Sequence, residues 1–529
     1  MSKALRLYNS FTRCVSDVAL ANGKAITAQN NDSPTFGSFY ICGPTVYSES
    51  HLGHALTYIR ADLFRRIMSS LFNVKLTTVM NITDIDDKIL ARAREDENLS
   101  NRLKDSSASS PPDHPFRNIS EKYYKSFLDD MNFIRVQPPD LPVKVSDQIS
   151  LIIEFIKRLE RSGHAYLAPN NDVYFKVSSV KNYVGRTDDR KSSPINSEDL
   201  KKDVRDFVLW KAAKPNEPTW IYESDVTGKQ IPGRPGWHVQ CSAIASAIFG
   251  AKLDFHYGGK DLIFPHHYNE QACCCAYHGL DTSESLHVWS KNWLHSGHLV
   301  VRDEKMSKSL GNVMGIRNFI ENSSVNALRL LCVYSHYRAD INFDDDLLQN
   351  MKSLDHKISA FNSYLREELR LASQSDLSYA DGQVSSDNDV KATVHQVYQE
   401  ILDGVCEDFD LNKGLGSMLN LSKQVYSHGS GSIKPEDLAP VWQLLMDWCA
   451  MCGLEYGRSH KSYNEDLVNL VQGFRQTIRS LAIDEMKRKK KDGLSKSEKD
   501  PYLDSLLENC DKVRAEMDEL GFVIRDKKT

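Results

Sequence analysis

The sequence predicts an α/β protein with a parallel-sheet core, followed by an all-α region. Two observations support this fold class. A strand, loop, helix and strand follow one another near the N-terminus, an order that is typical of a βαβ unit with parallel strands. Mixed strand and helix patterns return at residues 237–280, and from Ser324 onward the apolar residues recur mostly at helical spacing.

The first βαβ unit is predicted from three successive segments. Residues 38–47 (SFYICGPTVY) are apolar, aromatic and β-branched up to Gly43-Pro44, so they predict a strand that runs into a loop. Residues 53–72 carry apolar groups at helical spacing and predict a helix. The segment VKLTTVMNITD that follows predicts the second strand.

Length and composition limit the classes of protein that need to be considered. A chain of 529 residues exceeds one compact core, so two to four domains are expected. No apolar run reaches the roughly 18 residues that span a bilayer, and the N-terminus lacks the apolar core of a signal peptide. We therefore expect a cytoplasmic protein without a membrane partner. The 11 scattered cysteines indicate reduced thiols with room for a metal site, rather than a disulfide scaffold.

The net charge of -5 argues against a globally basic nucleic-acid-binding surface. It leaves room for a local basic path, because screening limits the reach of each charge to about 10 Å.

The motif His51-Leu52-Gly53-His54 lies between the first predicted strand and the first predicted helix. Parallel sheets bind nucleotides at this position. Gly53 permits close approach of a ligand, the helix N-terminus favours phosphate, and the two imidazoles can donate to developing negative charge. The more common role of such histidines, taken alone, is to cap a helix or to pack.

A second motif, Lys305-Met306-Ser307-Lys308-Ser309, combines two lysines with small hydroxyl residues. A cationic loop of this kind can stabilise pyrophosphate as it leaves a nucleotide. A solvated surface turn is the more common explanation of the motif by itself.

Together, the two motifs resemble the HLGH and KMSKS pair of class I aminoacyl-tRNA synthetases. The resemblance implies a Rossmann-like parallel-sheet catalytic core with an insertion, followed by an all-α helical bundle. It implies catalytic roles for His51 and His54 at the ATP phosphates, and for Lys305 and Lys308 at the pyrophosphate. Gly43 and Gly53 would also contact ATP, which would enter with Mg²⁺.

Four side chains suit a metal by ligand type: Cys42, Cys241, His266 and Glu270. Cys42 follows the first strand, and Cys241 is expected to open a helical segment. A helix that starts near Pro265 would place His266 and Glu270 on one face. Spacing alone leaves open whether the four converge, because buried cysteines are usually structural and an HxxxE pair usually lies on a surface.

Long segments narrow the resemblance to the cysteinyl-tRNA synthetase family. They are CGPTVYSESHLGHA, NITDIDDKI, DFVLWKAAKP through GRPGWHVQCSA, and DFHYGGKDLIFPHHYNE. The match covers roughly residues 5–345 and continues more weakly through the C-terminal part.

In that family, the four positions hold one zinc ion that binds the substrate thiolate. The resemblance also implies that Trp237, Thr83, His256 and Asp261 contact or surround the substrate cysteine. Zinc suits this substrate because a soft thiolate binds it far better than a serine hydroxyl does.

The implied partners are tRNA(Cys), ATP and L-cysteine, and a monomer is favoured. The expected catalytic domain has a first half at residues 1–125, a connective insertion at 126–230, and a second half with the zinc ligands at 231–300. The KMSKS loop with a linking region is expected at 301–345, and a helical anticodon-binding domain with a C-terminal tail at 346–529. Two alternatives remain: a ligase that joins cysteine to an amino sugar, and a non-catalytic tRNA- or zinc-binding relative. The helical region disfavours the first, and the intact motifs argue against the second.

Overall fold

A computed structural model gives the fold of the chain. It describes residues 3–28, 33–95, 116–181, 183, 201–215, 217–280, 289–301, 304–305, 314–374, 388–429, 433–456, 465–491 and 501–519. The strands β1 to β17, in chain order, are Lys3–Ala4, Arg6–Asn9, Cys14–Asp17, Thr27–Ala28, Thr35–Ile41, Val74–Ile82, Leu141–Lys144, Ala165–Leu167, Val173–Phe175, Phe207–Ala212, Trp220–Glu223, Gln230–Pro235, Leu253–Gly259, Ser290–Ser296, Leu299–Val301, Glu304–Lys305 and Ile341–Phe343.

The α-helices account for most of the remaining regular structure. They are, as α1 to α14 in chain order, Leu52–Phe72, Asp87–Glu95, Phe116–Phe133, Ile149–Arg161, Trp237–Phe249, Tyr268–His278, Ile316–Glu321, Val325–Tyr334, Asp345–Gln374, Asn388–Cys406, Leu411–His428, Pro435–Cys452, Glu465–Lys491 and Pro501–Glu519. None of the described helices is long and apolar enough to cross a bilayer.

The central sheet consists of five parallel strands in the order β14-β13-β5-β6-β7. The last residue of β5, Ile41, pairs with Met80 of β6 on one side and with Tyr257 of β13 on the other. Strand order therefore reverses at β5, and such a reversal opens a crevice beyond the carboxyl ends of the strands. Phe39 and Tyr40 are fully buried, as expected for a strand whose two faces are both covered.

Helix α1 connects β5 to β6 and completes the predicted βαβ unit. Its apolar residues, including Leu52, Ile59 and Leu63, are buried because their spacing keeps them on the face toward the sheet. The helix ends where Asn73 adopts a left-handed conformation, with φ 50°, and donates its N–H to the carbonyl of Met68. The predicted fold class, an α/β core followed by helices, is confirmed.

A buried arginine joins α1 to neighbouring elements. The guanidinium of Arg329 on α8 pairs with the carboxylate of Asp62, and both side chains are fully buried. Arg329 also donates from Nε to the carbonyl of Cys452 at 2.8 Å and from Nη1 to that of Ile134 at 3.1 Å. Asp62 keeps a second partner in Arg66, whose Nε lies 2.8 Å from Oδ2.

A second sheet lies mainly within the predicted insertion. It is antiparallel, with the order β11-β12-β10-β9-β8. The buried carboxylate of Glu160 on α4 accepts hydrogen bonds from the hydroxyls of Tyr222 and Ser224, each at 2.7 Å. These bonds satisfy both of its oxygens and tie α4 to the sheet.

The chain forms two compact units, of residues 1–355 with 375–454 and of residues 356–374 with 455–529. The first unit contains the sheets and helices α10 to α12. In the second, α13 and α14 pack together, and the buried guanidinium of Arg475 donates from Nε to the carbonyl of Cys510 at 2.7 Å.

Candidate active site

The four predicted metal ligands converge at the carboxyl end of the central sheet. Cys42 directly follows β5, at the reversal of strand order. Cys241 lies in the second turn of α5, so the expectation that it opens this helix is wrong. The helix begins at Trp237 because β12 ends at Pro235 and Gly236, with its extended backbone (φ -66°, ψ 158°), caps the helix.

His266 and Glu270 come from one short stretch of chain. His266 lies in a π-helical turn at Ile263–His267, and Glu270 lies in the first turn of α6. The Nε2 atom of His266 is 2.6 Å from Oε1 of Glu270, so the four-residue spacing brings the two side chains together. Both are buried.

The distances among the four side chains are those of a compact donor set. The Sγ atom of Cys42 lies 4.0 Å from Sγ of Cys241 and 3.6 Å from Oε1 of Glu270. The Sγ atom of Cys241 lies 3.5 Å from Nε2 of His266. Bonds of about 2.0–2.3 Å from zinc to nitrogen, oxygen and sulfur place tetrahedral ligand atoms about 3.3–3.8 Å apart. The separations of 3.6 Å and 3.5 Å lie in that range, whereas the sulfur–sulfur separation of 4.0 Å is longer and the 2.6 Å between His266 and Glu270 is shorter. The donor types, two thiols, an imidazole and a carboxylate, are compatible with zinc.

Burial and charge together set the protonation of this donor set. Burial opposes ionisation of Glu270, but the imidazoles of His266 and His256 hold the pKa of its carboxyl well below the usual range. Burial lowers the pKa of His266, yet Glu270 and Cys241 outweigh this effect and raise the pKa to about 10. Burial raises the pKa of Cys42 well above that of an ordinary thiol. Burial also opposes ionisation of Cys241, but its contacts with Cys42 and His266 lower the pKa overall.

His267 also lies in the cluster, although the sequence analysis did not select it. With Cys42, His266 and Glu270 it forms a group whose ligand atoms all lie within 4.8 Å of one another. Its Nε2 is 3.2 Å from Sγ of Cys42, and its Nδ1 is 2.6 Å from Nε2 of His295. Burial lowers the pKa of His267 well below the usual range, so the ring is neutral. The adjacent pair in FPHHYNE was the available signal, but successive helical residues point about 100° apart.

His238 is a further residue that the sequence analysis missed. Its Nδ1 lies 3.0 Å from Nδ1 of His266, the ring nitrogen that faces away from Glu270. A partner at that nitrogen fixes the orientation of an imidazole whose other nitrogen faces a metal site. His238 lies one residue after Trp237 in the motif GRPGWH, and its edge packs on the ring of Phe207.

Two of the predicted cysteine-pocket residues contact the donor cluster directly. The indole of Trp237 is 40% exposed and stacks on the ring of His266, with centroids 4.2 Å apart. His256 is fully buried, and its Nε2 lies 2.7 Å from Oε2 of Glu270. Its ring stacks on Trp293 at 4.2 Å, and burial lowers its pKa. Trp237 therefore forms part of the exposed border of the cluster, and His256 supports Glu270 from within.

The other two lie on adjacent elements. Thr83 follows β6 and is bound to the loop after Cys42, because its N–H donates to the carbonyl of Pro44 at 3.1 Å. Asp261 lies in the short helical turn after β13, and its carboxylate is within electrostatic range of the phenol of Tyr58. The hydroxyl of Tyr58 donates to the carbonyl of Cys42 at 3.4 Å. Thr83 is thus bonded to the segment that contains Cys42, and Asp261 follows β13, the strand that pairs with β5.

The HLGH motif lies on the same loop as Cys42, at the N-terminus of α1. The rings of His51 and His54 stack with centroids 3.8 Å apart, and the backbone N–H of His51 donates to Nδ1 of His54 at 3.3 Å. A Cβ on Gly53 would lie 2.9 Å from Cε1 of His51, so a larger residue would displace this ring. A Cβ on Gly43 would lie 1.7 Å from the carbonyl oxygen of Asn81, so the loop passes directly over β6.

The KMSKS motif is described only at its first residue. Lys305 ends β16, where its backbone pairs with Val300 of β15. Lys308 lies outside the described residues. The described chain resumes at Met314, whose carbonyl accepts the N–H of Leu52 at 3.1 Å, so the segment that follows the motif is bonded to the HLGH motif.

Comparisons with known proteins bear on the family of the chain. Residues 30–353 match the family model of the tRNA synthetases class I (C) catalytic domain. The cysteine–tRNA ligase of Encephalitozoon cuniculi is 35% identical over 535 residues, which cover 99% of this chain and 98% of that protein. The cysteine–tRNA ligase of Methanococcus maripaludis is 35% identical and covers 93% of this chain and 95% of its own.

Solved structures show the same fold at much lower identity. The methionyl-tRNA synthetase of Mycobacterium tuberculosis in complex with methionyl-adenylate superposes with a TM-score of 0.53 at 13% identity. That superposition covers 79% of this chain and 89% of the other.

Proposed function

The chain belongs to the cysteine–tRNA ligase family of class I tRNA synthetases, and we propose that it activates L-cysteine with ATP and transfers it to the 3′ end of tRNA(Cys). The observation that carries this proposal is the buried set of two thiols, an imidazole and a carboxylate beside the HLGH motif. The set would combine a soft-metal site for a thiol substrate with a helix N-terminus that could bind nucleotide phosphates.

We propose that Cys42, Cys241, His266 and Glu270 hold one zinc ion. When bound, zinc would favour the thiolate form of cysteine and bind it more strongly than a serine hydroxyl. The protein contributes a rigid, buried donor set. Glu270 is fixed by His256, and His266 is fixed by its contact with His238.

The remaining cysteine contacts follow from charge and position. Trp237 would cover one side of the substrate side chain. The carboxylate of Asp261 would attract the substrate ammonium, and the hydroxyl of Thr83 would lie beside it. His256 would act through Glu270 rather than by direct contact, because its Nε2 is occupied by that carboxylate.

ATP would bind along the loop between β5 and α1 as its magnesium complex. The backbone at Gly43 and Gly53 would allow close approach, and His51 and His54 would donate to the phosphates. Lys305 and Lys308 would offset the charge on the departing pyrophosphate.

Two displacement steps complete the reaction. The cysteine carboxylate attacks the α-phosphorus of ATP, the bond to the bridging oxygen breaks, and cysteinyl-adenylate and pyrophosphate form. A terminal ribose hydroxyl of the tRNA then attacks the adenylate carbonyl, loses its proton, and AMP leaves. Both steps depend on positioning and charge stabilisation.

We assign tRNA binding to residues 346–529. In the same proposal, the connective insertion at 126–230 separates the two halves of the catalytic domain, and residues 301–345 form the linking region. A cytoplasmic monomer is the proposed working form. Helix α13 carries the basic run KRKKK at 487–491, which would supply charge of the sign that a phosphate backbone requires.

Cysteine-dependent exchange of pyrophosphate into ATP tests the first step. We expect exchange with cysteine, little with serine, and loss of exchange after complete zinc removal, with recovery when zinc is restored. Absence of cysteine-dependent exchange would rule out the enzyme, and exchange that persists without zinc would rule out the metal's role. Charging of purified tRNA(Cys) then separates this function from the joining of cysteine to an amino sugar.

A further inference from the structure

Helix α1 holds the described chain on both sides of residues 306–313. At its N-terminus, Leu52 donates its N–H to the carbonyl of Met314, and His51 forms a β-bridge with Gly315. Two turns further on, Arg60 projects from the same helix toward the turn that precedes β15. The helix that begins with the HLGH motif is therefore bonded to both flanks of the KMSKS region.

The guanidinium of Arg60 binds two stretches of backbone at once. Nη1 donates to the carbonyl of Gly297 at 3.0 Å. Nη2 faces three acceptors on the chain that follows α8, and these are Oγ of Ser335 at 3.3 Å, the carbonyl of His336 at 3.5 Å and the carbonyl of Ala339 at 3.4 Å. Arg60 thus bridges the turn after β14 and the segment that leads into β17.

Arg60 is 3% exposed, yet no carboxylate among the described residues lies within 4.0 Å of it. Arg329, the other buried arginine that contacts α1, pairs with Asp62 instead. The Nε atom of Arg60 has no hydrogen-bond partner in the described structure, and the residue is one of those that line a cavity of about 30 Å³. A buried cation without a counter-charge lowers the stability of the fold. We therefore look for the role of Arg60 in the backbone geometry that its hydrogen bonds impose.

The turn that Arg60 holds is closely packed. A Cβ on Gly297 would lie 2.1 Å from the carbonyl oxygen of Ala339, and the Gly297 N–H donates to the carbonyl of Tyr337 at 2.9 Å. The chain runs from this turn directly into β15, which pairs with β17 on one side and with β16 on the other. Strand β16 ends at Lys305, so a shift of the turn is transmitted to the first residue of the KMSKS motif.

We propose that Arg60 is a positioning residue for adenylate formation, which fixes the β15–β16 hairpin, and with it the backbone of Lys305, relative to the helix that begins with the HLGH motif. This proposal rests on the function proposed above. The role needs a planar group with several donors, because one side chain must reach both Gly297 and the segment at 335–339.

The test compares Arg60→Met and Arg60→Lys with Arg65→Met in cysteine-dependent pyrophosphate exchange. Arg65 is a matched control on the same helix, because it also donates to backbone carbonyls, those of Gln137 at 3.1 Å and Pro138 at 2.8 Å, but has no contact with this turn. Rates are expressed per active site, from titration of the adenylate burst, and each variant is checked for its thermal midpoint.

For Arg60→Met we expect kcat for exchange to fall about 10- to 100-fold, since a displacement of about 1 Å in a charged group has effects of that size. The KM for cysteine should stay within about twofold of wild type, because the donor cluster is untouched. Arg60→Lys should lie between wild type and Arg60→Met, and Arg65→Met should match wild type. If Arg60→Met does not fold, Arg60→Lys carries the comparison, with an expected loss in kcat of about three- to tenfold.

Three outcomes overturn the proposal. Variants at Arg60 whose kcat equals that of wild type would leave it a purely structural residue. An equal rise in KM for cysteine and for ATP would indicate general damage to the fold. A wild-type chain without cysteine-dependent exchange would remove the proposed function itself, whereas normal wild-type exchange with unaffected Arg60 variants removes only the positioning role.

Discussion

Replacement of Cys241 by serine distinguishes two possible donor sets in the metal cluster. Cys42, His266 and Glu270 belong to both sets. The fourth ligand is Cys241 in one set and His267 in the other. The two sets differ in the number of thiolates, which a spectroscopic measurement can count.

Because the ring of His267 is already engaged by other side chains, we expect the fourth ligand to be Cys241. Its Sγ lies 3.5 Å from Nε2 of His266 and 4.0 Å from Sγ of Cys42, close to the edges of a zinc tetrahedron. His267 is already engaged through both ring nitrogens, at 3.2 Å from Sγ of Cys42 and 2.6 Å from Nε2 of His295. Loss of a residue that merely supports a ligand lowers metal affinity about 10- to 100-fold, so loss of the Cys241 thiolate should lower it by more than about 100-fold.

Cobalt substitution provides the assay. Thiolate-to-cobalt charge-transfer absorption grows with the number of bound thiolates, so Cys241→Ser should retain about half of the wild-type intensity per metal. His267→Gln should retain all of it, and Cys273→Ser, which removes a fully buried thiol outside the donor set, is the matched control. A Cys241→Ser protein with undiminished absorption and wild-type zinc affinity, beside a His267→Gln protein that loses both, would refute the assignment.

Three further predictions concern the fold and the nucleotide site. Arg329→Met should lower the thermal midpoint, because breaking a buried ion pair costs about 3–5 kcal/mol of stability. The smaller value is expected, since Asp62 keeps Arg66 as a partner, and an unchanged midpoint in a thermal melt would contradict the prediction. His54→Gln should reduce kcat for pyrophosphate exchange about 10²-fold while leaving zinc content at wild type, and a variant with full activity would remove this histidine from catalysis. Tyr222→Phe should destabilise the insertion by about 1–3 kcal/mol, because the buried carboxylate of Glu160 loses one of its two hydroxyl donors. Limited proteolysis should then cut the insertion faster than in wild type, and an unchanged cleavage rate would contradict the prediction.

The elements that the sequence predicted well are those specified by local pattern. The helix expected at residues 53–72 spans Leu52–Phe72, and the strands on either side are Thr35–Ile41 and Val74–Ile82. A buried strand and an amphipathic helix each carry their signal within one short window. The end of the first strand likewise placed Cys42 at the edge of the crevice.

The residues that were missed depend on packing between distant segments. The positions of His267 and His238 in the sequence do not indicate that these side chains contact the predicted ligands. Those contacts depend on how α5 and α6 pack against each other. Arg60 is similar: an arginine among the apolar residues of α1 gives no indication that its acceptors lie on the turn at Gly297 and beyond α8. Cys241 was assigned to the start of its helix because the role of Gly236 as the helix N-cap was not visible locally.

The donor set has a consequence for synthesis on the ribosome. Cys42 is translated first, and Glu270, the last of the four, follows 228 residues later. At about 5–20 residues per second, Cys42 waits roughly 10–45 s before the set can close. During that interval the nascent chain carries the Cys42 thiol without the three side chains that surround it in the folded protein, so this thiol stays open to oxidation until the second half of the sheet has been made.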